Sequence, residues 1–472
     1  MNNLFQITGS YTDHYQLTMA QSYYLKGQGE QQAIFDYFFR KLPFQGGYAV
    51  FAGLENLLEL LENFQFDQHD LEFMRQWGFD PAFIEYMKNF RFQGSIYSSH
   101  EGDVVFPTRP VLRVEGSLIE SQPIETLLLN ILNFQTLIAT KASRMRFTAG
   151  ERTLIDFGMR RAHGPSAYYA ARAAIIGGFN ATSNVKAGID FNIPVSGTMA
   201  HSFIQSFDDE LAAFRHFAHT WPRNCILLVD TYNTLKSGLP NAIKVAQEME
   251  QEGERLKGIR LDSGDLAYHS KKSRHLLDQA GLDYVKIFAS NQLDEFVIRS
   301  LLEQKAPIDG FGVGTSLVTG QPDAALDGVY KLAFANGTSR IKLSENTAKT
   351  TLPGRKQVHR MLDSNKELLG ADLVTLNEEN EFTEMHHPYY EHKHLSLKNC
   401  LSQPLLHKVL DKGKRISKPL TTEEIAHYNK EKLAQLPLEY KRFDNPHIYK
   451  VGLSKKLKEE RKNLIVKLKE NY

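Results

Sequence analysis

The order of apolar and polar positions changes character along the chain. In its middle part, short apolar runs recur and end in small, hydroxylated or charged residues. They are Thr153–Phe157, Gly178–Thr182, Ile193–Gly197, Cys225–Asp230, Gly258–Asp262, Val285–Ser290 and Asp309–Gly312. Helical periodicity fills most of the intervals, as in NAIKVAQEMEQEG and DLAYHSKKSRHLLDQAG. Strands alternating with helices predict an α/β fold around a parallel sheet. An eighth strand at Gly328–Phe334 would complete a (β/α)8-like, TIM-type barrel, irregular at its start. A doubly wound sheet fits the same alternation. Both architectures gather ligands at the carboxyl ends of the strands, where Asp156-Phe157-Gly158, Asn180–Ser183 and Ser196-Gly197-Thr198 fall.

The flanks lack this alternation. LTMAQSYYLKG reads as a capped helix, AIFDYFFR as a strand, and Leu54, Leu57, Leu58 and Leu61 lie at helical spacing. EGDVVFPTRPVLRVEG reads as two short strands broken by Pro107 and Pro110. IETLLLNILNFQTLIATKASRMRFTAG predicts one long helix. After about residue 345 come strands or loops and a solvated terminal helix, KKLKEERKNLIVKLKENY. Three regions are expected: an N-terminal α/β domain (1–122), the barrel-like domain (123–344), and a C-terminal extension (345–472) packed on the N-terminal domain.

Composition narrows the class. The 472 residues are too many for one ordinary domain, and 42% are hydrophobic, enough for a large core. Lys and Arg (56) nearly cancel Asp and Glu (55), so no global field draws nucleic acid or an anionic membrane. No apolar run approaches the roughly 18 residues that span a bilayer, and MNNLFQITGSYTDHYQL lacks a leader pattern. Two cysteines exclude a disulfide framework or thiolate zinc site. A cytoplasmic enzyme is the default expectation.

Candidate chemistry clusters at the strand ends. In GIRLDSGD, alternation aims Arg260 and Asp262 to one side, with Ser263-Gly264 as a tight turn before Asp265. The pair suits a polar ring substituent, a ribose hydroxyl or water-bridged Mg2+; a structural ion pair with an N-cap is the plainer alternative. GFGVGTSLVTG spaces glycines so that backbone amides can approach a phosphate, with Ser290 and Asn291 of FASNQ nearby; a tight turn is the plainer alternative. His201 opens a helix after Ser196-Gly197-Thr198, and Asp230 of VDTYN is placed to orient its imidazole for proton transfer or attack on phosphorus. A structural or surface role is the alternative. His386, His387, His392 and His394 lack cysteine partners and flank Pro388, so no metal-ligating set is assigned.

Taken in order, TDHYQLTM, FDYFFRKLP, TKASR, DFGMRRAHG, FNATSN, GTMAHSF, VDTYNT, IRLDSGDL, ASNQLDE, DGFGVGTSLVT and PGRKQVHRML closely resemble the nicotinate phosphoribosyltransferase family of type II phosphoribosyltransferases. They span roughly residues 10–360. The resemblance implies an ATP-coupled ligase of NAD salvage. Nicotinate, phosphoribosyl pyrophosphate, ATP and water would give nicotinate mononucleotide, pyrophosphate, ADP and phosphate, with Mg2+ as cofactor. By position it implies that ATP phosphorylates His201, with Asp230 beside it, and that Arg160, Arg260 and Asp262 contact substrate. Phe157 and Tyr15 would sandwich the pyridine, Tyr15 coming from the partner in a homodimer, with the Ser183 and Thr198 hydroxyls at the same site. Ser290, Asn291, Gly312, Gly314 and Thr315 match the ribose-phosphate site, and Arg40, Lys141 and Arg144 the diphosphate contacts.

Position 183 bears on the substrate. The related nicotinamide enzyme is expected to carry an acidic residue there, which would repel the carboxylate of nicotinate, whereas Ser183 can donate to it. One departure is Ala200, where that enzyme is expected to have an acidic residue just before the histidine. Two other activities stay open: a nicotinamide or quinolinate transferase, and a silent ligand-binding homologue.

Overall fold

The computed structural model describes residues 6–344 and 349–471. Part of the leader reading (residues 1–5) and the residues just after the expected boundary at 344 lie outside that range. The chain divides into a middle unit, Lys141–Ala324, and a terminal unit formed by Met1–Thr140 with Ala325–Tyr472. The chain beyond residue 324 thus shares one unit with the N-terminal part, and the division falls inside the helix Glu125–Ala149.

The middle unit is built on six parallel strands: β1 (Thr153–Asp156), β2 (Ala181–Thr182), β3 (Ile226–Leu228), β4 (Gly258–Leu261), β5 (Lys286–Ser290) and β6 (Gly310–Val313). Their spatial order is β2-β1-β6-β5-β4-β3. All the ladders are parallel, so every carboxyl end lies along one edge. The Ile193–Gly197 run contributes only one parallel bridge, Val195 to Thr182. The order is cyclic, but no ladder joins Val195 to β3 among the described residues, so the expected TIM-type barrel is not closed. The expected eighth strand also goes elsewhere. Gly328–Ala335 pairs antiparallel with Gln32–Phe39 in the terminal unit.

Apolar side chains packed under the helices explain the stability of the sheet. Leu227, Ile259, Leu261 and Ile287 are fully buried against Ala242, Val245 and Leu277 of the helices Leu239–Gln251 and Leu266–Gln279. Strands this short and this apolar are stable only when covered on both faces. Polar residues are left for the strand ends.

The terminal unit holds two larger sheets. In one of seven strands, Gln32–Phe39, Leu112–Ser117 and Ser95–Ser98 lie side by side, flanked by Gly328–Ala335 on one side and His407–Asp411 on the other. The other has six strands, all from beyond residue 355. Buried ion pairs tie early and late chain together: Lys356 to Asp36 (2.8 Å) and Arg109 to Asp372 (2.7 Å), with Tyr449 donating to Asp372 at 2.8 Å. Removing one partner of such a pair leaves an uncompensated buried charge, a cost of about 3–5 kcal/mol. No helix among the described residues is long and apolar enough to cross a membrane.

Candidate active site

Four strand ends of the middle unit bring their polar residues together. After β3 come Asp230 and Thr231, after β4 Asp262, at the end of β5 Ser290, and after β1 Phe157. The Thr198–His201 segment joins them just before the helix His201–Gln205.

His201 is held from one side by Thr231, whose Oγ1 lies 3.0 Å from Nδ1. Its Nε2 stands 3.8 Å from Asp262 Oδ2, close enough for attraction but beyond a hydrogen bond. The imidazole is 40% exposed and Asp262 35%, so a ligand in solvent can reach both. Asp230 does not touch the ring, contrary to expectation. Its Oδ2 accepts from the Asp262 amide and from Ser263 Oγ, both at 2.7 Å. It therefore shapes the turn that presents Asp262, and Ser290 Oγ donates to the other Asp262 oxygen. Thr231 is the residue that the sequence reading missed; the hydroxyl following Asp230 in VDTYN was the available signal.

Arg260 is half-buried on the same edge. Its guanidinium donates to Thr198 Oγ1 (2.5 Å) and to the Met199 carbonyl (3.0 Å), fixing the chain just before His201. Its centre lies 5.9 Å from the centroid of the Phe157 ring, within cation–π range. Burial lowers the Arg260 pKa, and the Asp262 and Asp230 carboxylates act against that drop. Arg260 Nε has no hydrogen-bond partner among the described residues. A half-buried cation with an unused donor beside an aromatic ring is equipped to take an anionic group on a flat ligand. Ser183, half-buried after β2, lies within the same row of strand ends.

A family model described as the nicotinate phosphoribosyltransferase (NAPRTase) family matches residues 153–390, with its N-terminal and C-terminal domain models on residues 11–133 and 355–461. The chain belongs to the nicotinate phosphoribosyltransferase family. It is 45% identical to the nicotinate phosphoribosyltransferase of Bacillus subtilis over 94% of this chain and 92% of that one. It is 33% identical to the enzyme of Rattus norvegicus, over 95% of each chain. Among solved structures, human nicotinic acid phosphoribosyltransferase superposes with a TM-score of 0.86 at 31% identity, covering 96% of this chain and 99% of that one.

Several family positions take unexpected places. Lys141 and Arg144, expected at the diphosphate, are each held in an ion pair. Both are buried on Glu295, with Nζ–Oε2 at 2.6 Å and Nε–Oε1 at 2.9 Å. Arg40 and Tyr15 belong to the terminal unit, where Arg40 lies 3.9 Å from Asp327 and Tyr15 is 51% exposed. Gly312 has a packing role: a Cβ there would meet the Phe157 ring at 2.4 Å, so its bare backbone makes room for the aromatic ring. A Cβ at Gly314 would meet nothing nearer than 3.5 Å, so the position is open before Thr315, which is exposed. Arg160 and Asn291 are also exposed, Asn291 with a left-handed φ of 81° at the turn after β5. Asp265 caps its helix by accepting from the Tyr268 amide at 3.0 Å.

Proposed function

We propose that this protein joins nicotinate to the ribosyl group of phosphoribosyl pyrophosphate for NAD salvage, driven by ATP through transient phosphorylation of His201. The observation that carries this reading is the single edge on which Thr231, Asp262 and Ser290 frame His201 while Arg260 faces Phe157. Family membership supports the substrate pair.

In the transfer step, the pyridine nitrogen forms a bond to the anomeric carbon as the bond to the diphosphate oxygen breaks. Positive charge develops on the ribosyl ring and negative charge on the leaving group. Phe157 would stack on the pyridine, while Ser183 and Arg260 would take its carboxylate and hold the ring in line. Tyr15 of a second subunit would close the other face in a homodimer. Gly314, Thr315 and Asn291 would carry the ribose phosphate on backbone amides and exposed polar groups.

In the coupling step, the γ-phosphorus of ATP bonds to an imidazole nitrogen and ADP leaves; water later takes the phosphoryl group and restores His201. Thr231 and Asp262 fix the plane of the ring for that attack. Coupling requires the phosphorylated and free forms to bind phosphoribosyl pyrophosphate differently, because equal binding would shift nothing. Mg2+ fits the residues present. Asp230 Oδ1 is a buried carboxylate oxygen without a hydrogen-bond partner among the described residues, and Asp262 adds a second hard oxygen donor. When bound, the ion would neutralise phosphate charge. Cys225 and Cys400 are both free, in keeping with a cytoplasmic setting.

The test is to incubate the protein with ATP labelled on the γ-phosphate. Acid-labile label should appear on the wild type and be absent from His201→Asn. Equal labelling of both proteins would remove His201 from the mechanism.

A further inference from the structure

We propose that Asp156 is the positioning residue for nicotinate recognition, locking the segments that carry Phe157 and Ser183 into one register. The inference rests on the function proposed above, because it concerns the walls of that pyridine site.

Asp156 ends β1 and is 1% exposed. It holds both neighbouring segments at once. Its Oδ1 accepts from the Gly158 amide at 2.8 Å, just beyond Phe157. Its main-chain oxygen accepts from the Ser183 amide at 2.8 Å. Its Oδ2 accepts from Thr182 Oγ1, also at 2.8 Å. The direction of this last bond is set by a third partner. Thr182 Oγ1 accepts from the Asn184 amide at 3.0 Å, which leaves its single proton for the carboxylate. Phe157 is thereby bracketed by Asp156 and Gly158, and Ser183 by Thr182 and Asn184.

The place of its partners argues for more than stability. Among buried carboxylates here, Asp36, Asp372 and Glu295 each face a cation at 2.6–2.8 Å, whereas Asp103 accepts from the His100 amide and the Tyr428 hydroxyl and Glu210 from Asn241. Among the described residues, the Asp156 carboxylate has two donors in hydrogen-bond contact, and both come from the proposed substrate-binding segments. Burial pushes its carboxyl up, and the Gly158 and Thr182 bonds pull it back. A carboxylate buried without a cation is a costly choice unless its acceptors are needed where they are. Its acceptors reach the loop that stacks on the substrate and the loop that reads its ring substituent.

Two near-isosteric substitutions test this. Asp156→Asn places an amide donor against the Thr182 hydroxyl or the Gly158 amide. Thr182→Val deletes the relay to Asn184 and leaves Asp156 in place. Each is expected to raise KM for nicotinate roughly tenfold, the scale of losing a hydrogen bond to a charged group. The preference for nicotinate over nicotinamide should narrow. KM for phosphoribosyl pyrophosphate and kcat should stay within about twofold, and Thr182→Ser, which keeps the hydroxyl, should restore the wild-type KM. A folded Thr182→Val variant with KM for nicotinate unchanged would overturn the proposal, as would an equal rise in both KM values. Absence of nicotinate turnover by the wild type would instead overturn the functional reading itself.

Discussion

His201 has two polar neighbours, Thr231 and Asp262, and Asp230 is neither of them. The Thr231 hydroxyl holds the ring from its Nδ1 side and leaves Nε2 on the side of Asp262, an arrangement that suits the proposed attack on phosphorus. The carboxylate set back behind it, Asp230, positions Asp262 through the backbone. At the proposed ring-binding end, Ser183 would decide the charge that a substrate substituent meets. Ser183→Asp should weaken nicotinate by roughly tenfold or more through carboxylate repulsion while sparing nicotinamide, which can donate its amide protons. Steady-state KM values for both substrates check it. Unchanged preference would mean that Ser183 does not face the ring substituent.

At the scale of elements, close approaches set the geometry. Gly312 of β6 is bare because the Phe157 ring lies against it, and Gly238 is bare because a Cβ would come within 1.8 Å of the Val229 carbonyl beside the β3 end. Sequence reading assigned the Gly310–Gly314 glycines to phosphate; the structure gives Gly312 to an aromatic neighbour and leaves Gly314 open. In the terminal unit, the strand Lys356–Leu362 carries His359 with neither ring nitrogen hydrogen-bonded among the described residues, packed on Phe382 at 4.7 Å. Burial pushes its pKa down to about 4. The unfolded chain therefore takes up the proton first as pH falls. The stability that His359 contributes is complete above pH 6.5 and is lost between 6.5 and about 4. His359→Phe should flatten that acid loss by an amount on the order of 1 kcal/mol, once the partial exposure of the ring is discounted. Melting curves of both proteins across that range provide the check; parallel acid slopes would contradict it.

At the scale of the whole molecule, the strands of the middle unit were legible because each is a short apolar run ended by polar residues. All six appear where that pattern places them. Closure of the barrel was not legible. The run Gly328–Ala335 looks like one more strand of the series, yet its partner is Gln32–Phe39, and local pattern does not encode so distant a pairing. The same limit hid Glu295, which pairs with both Lys141 and Arg144 across more than half of the middle unit's sequence. That His201, Arg260, Asp262 and Phe157 gather at one edge was legible because their segments end at the carboxyl side of parallel strands. The most direct measurement is mononucleotide formation from phosphoribosyl pyrophosphate and Mg2+ with nicotinate or nicotinamide, each with and without ATP. The account predicts product from nicotinate, stimulated by ATP with matching ADP release, and little from nicotinamide. Preferred turnover of nicotinamide, or nicotinate turnover indifferent to ATP, would contradict it.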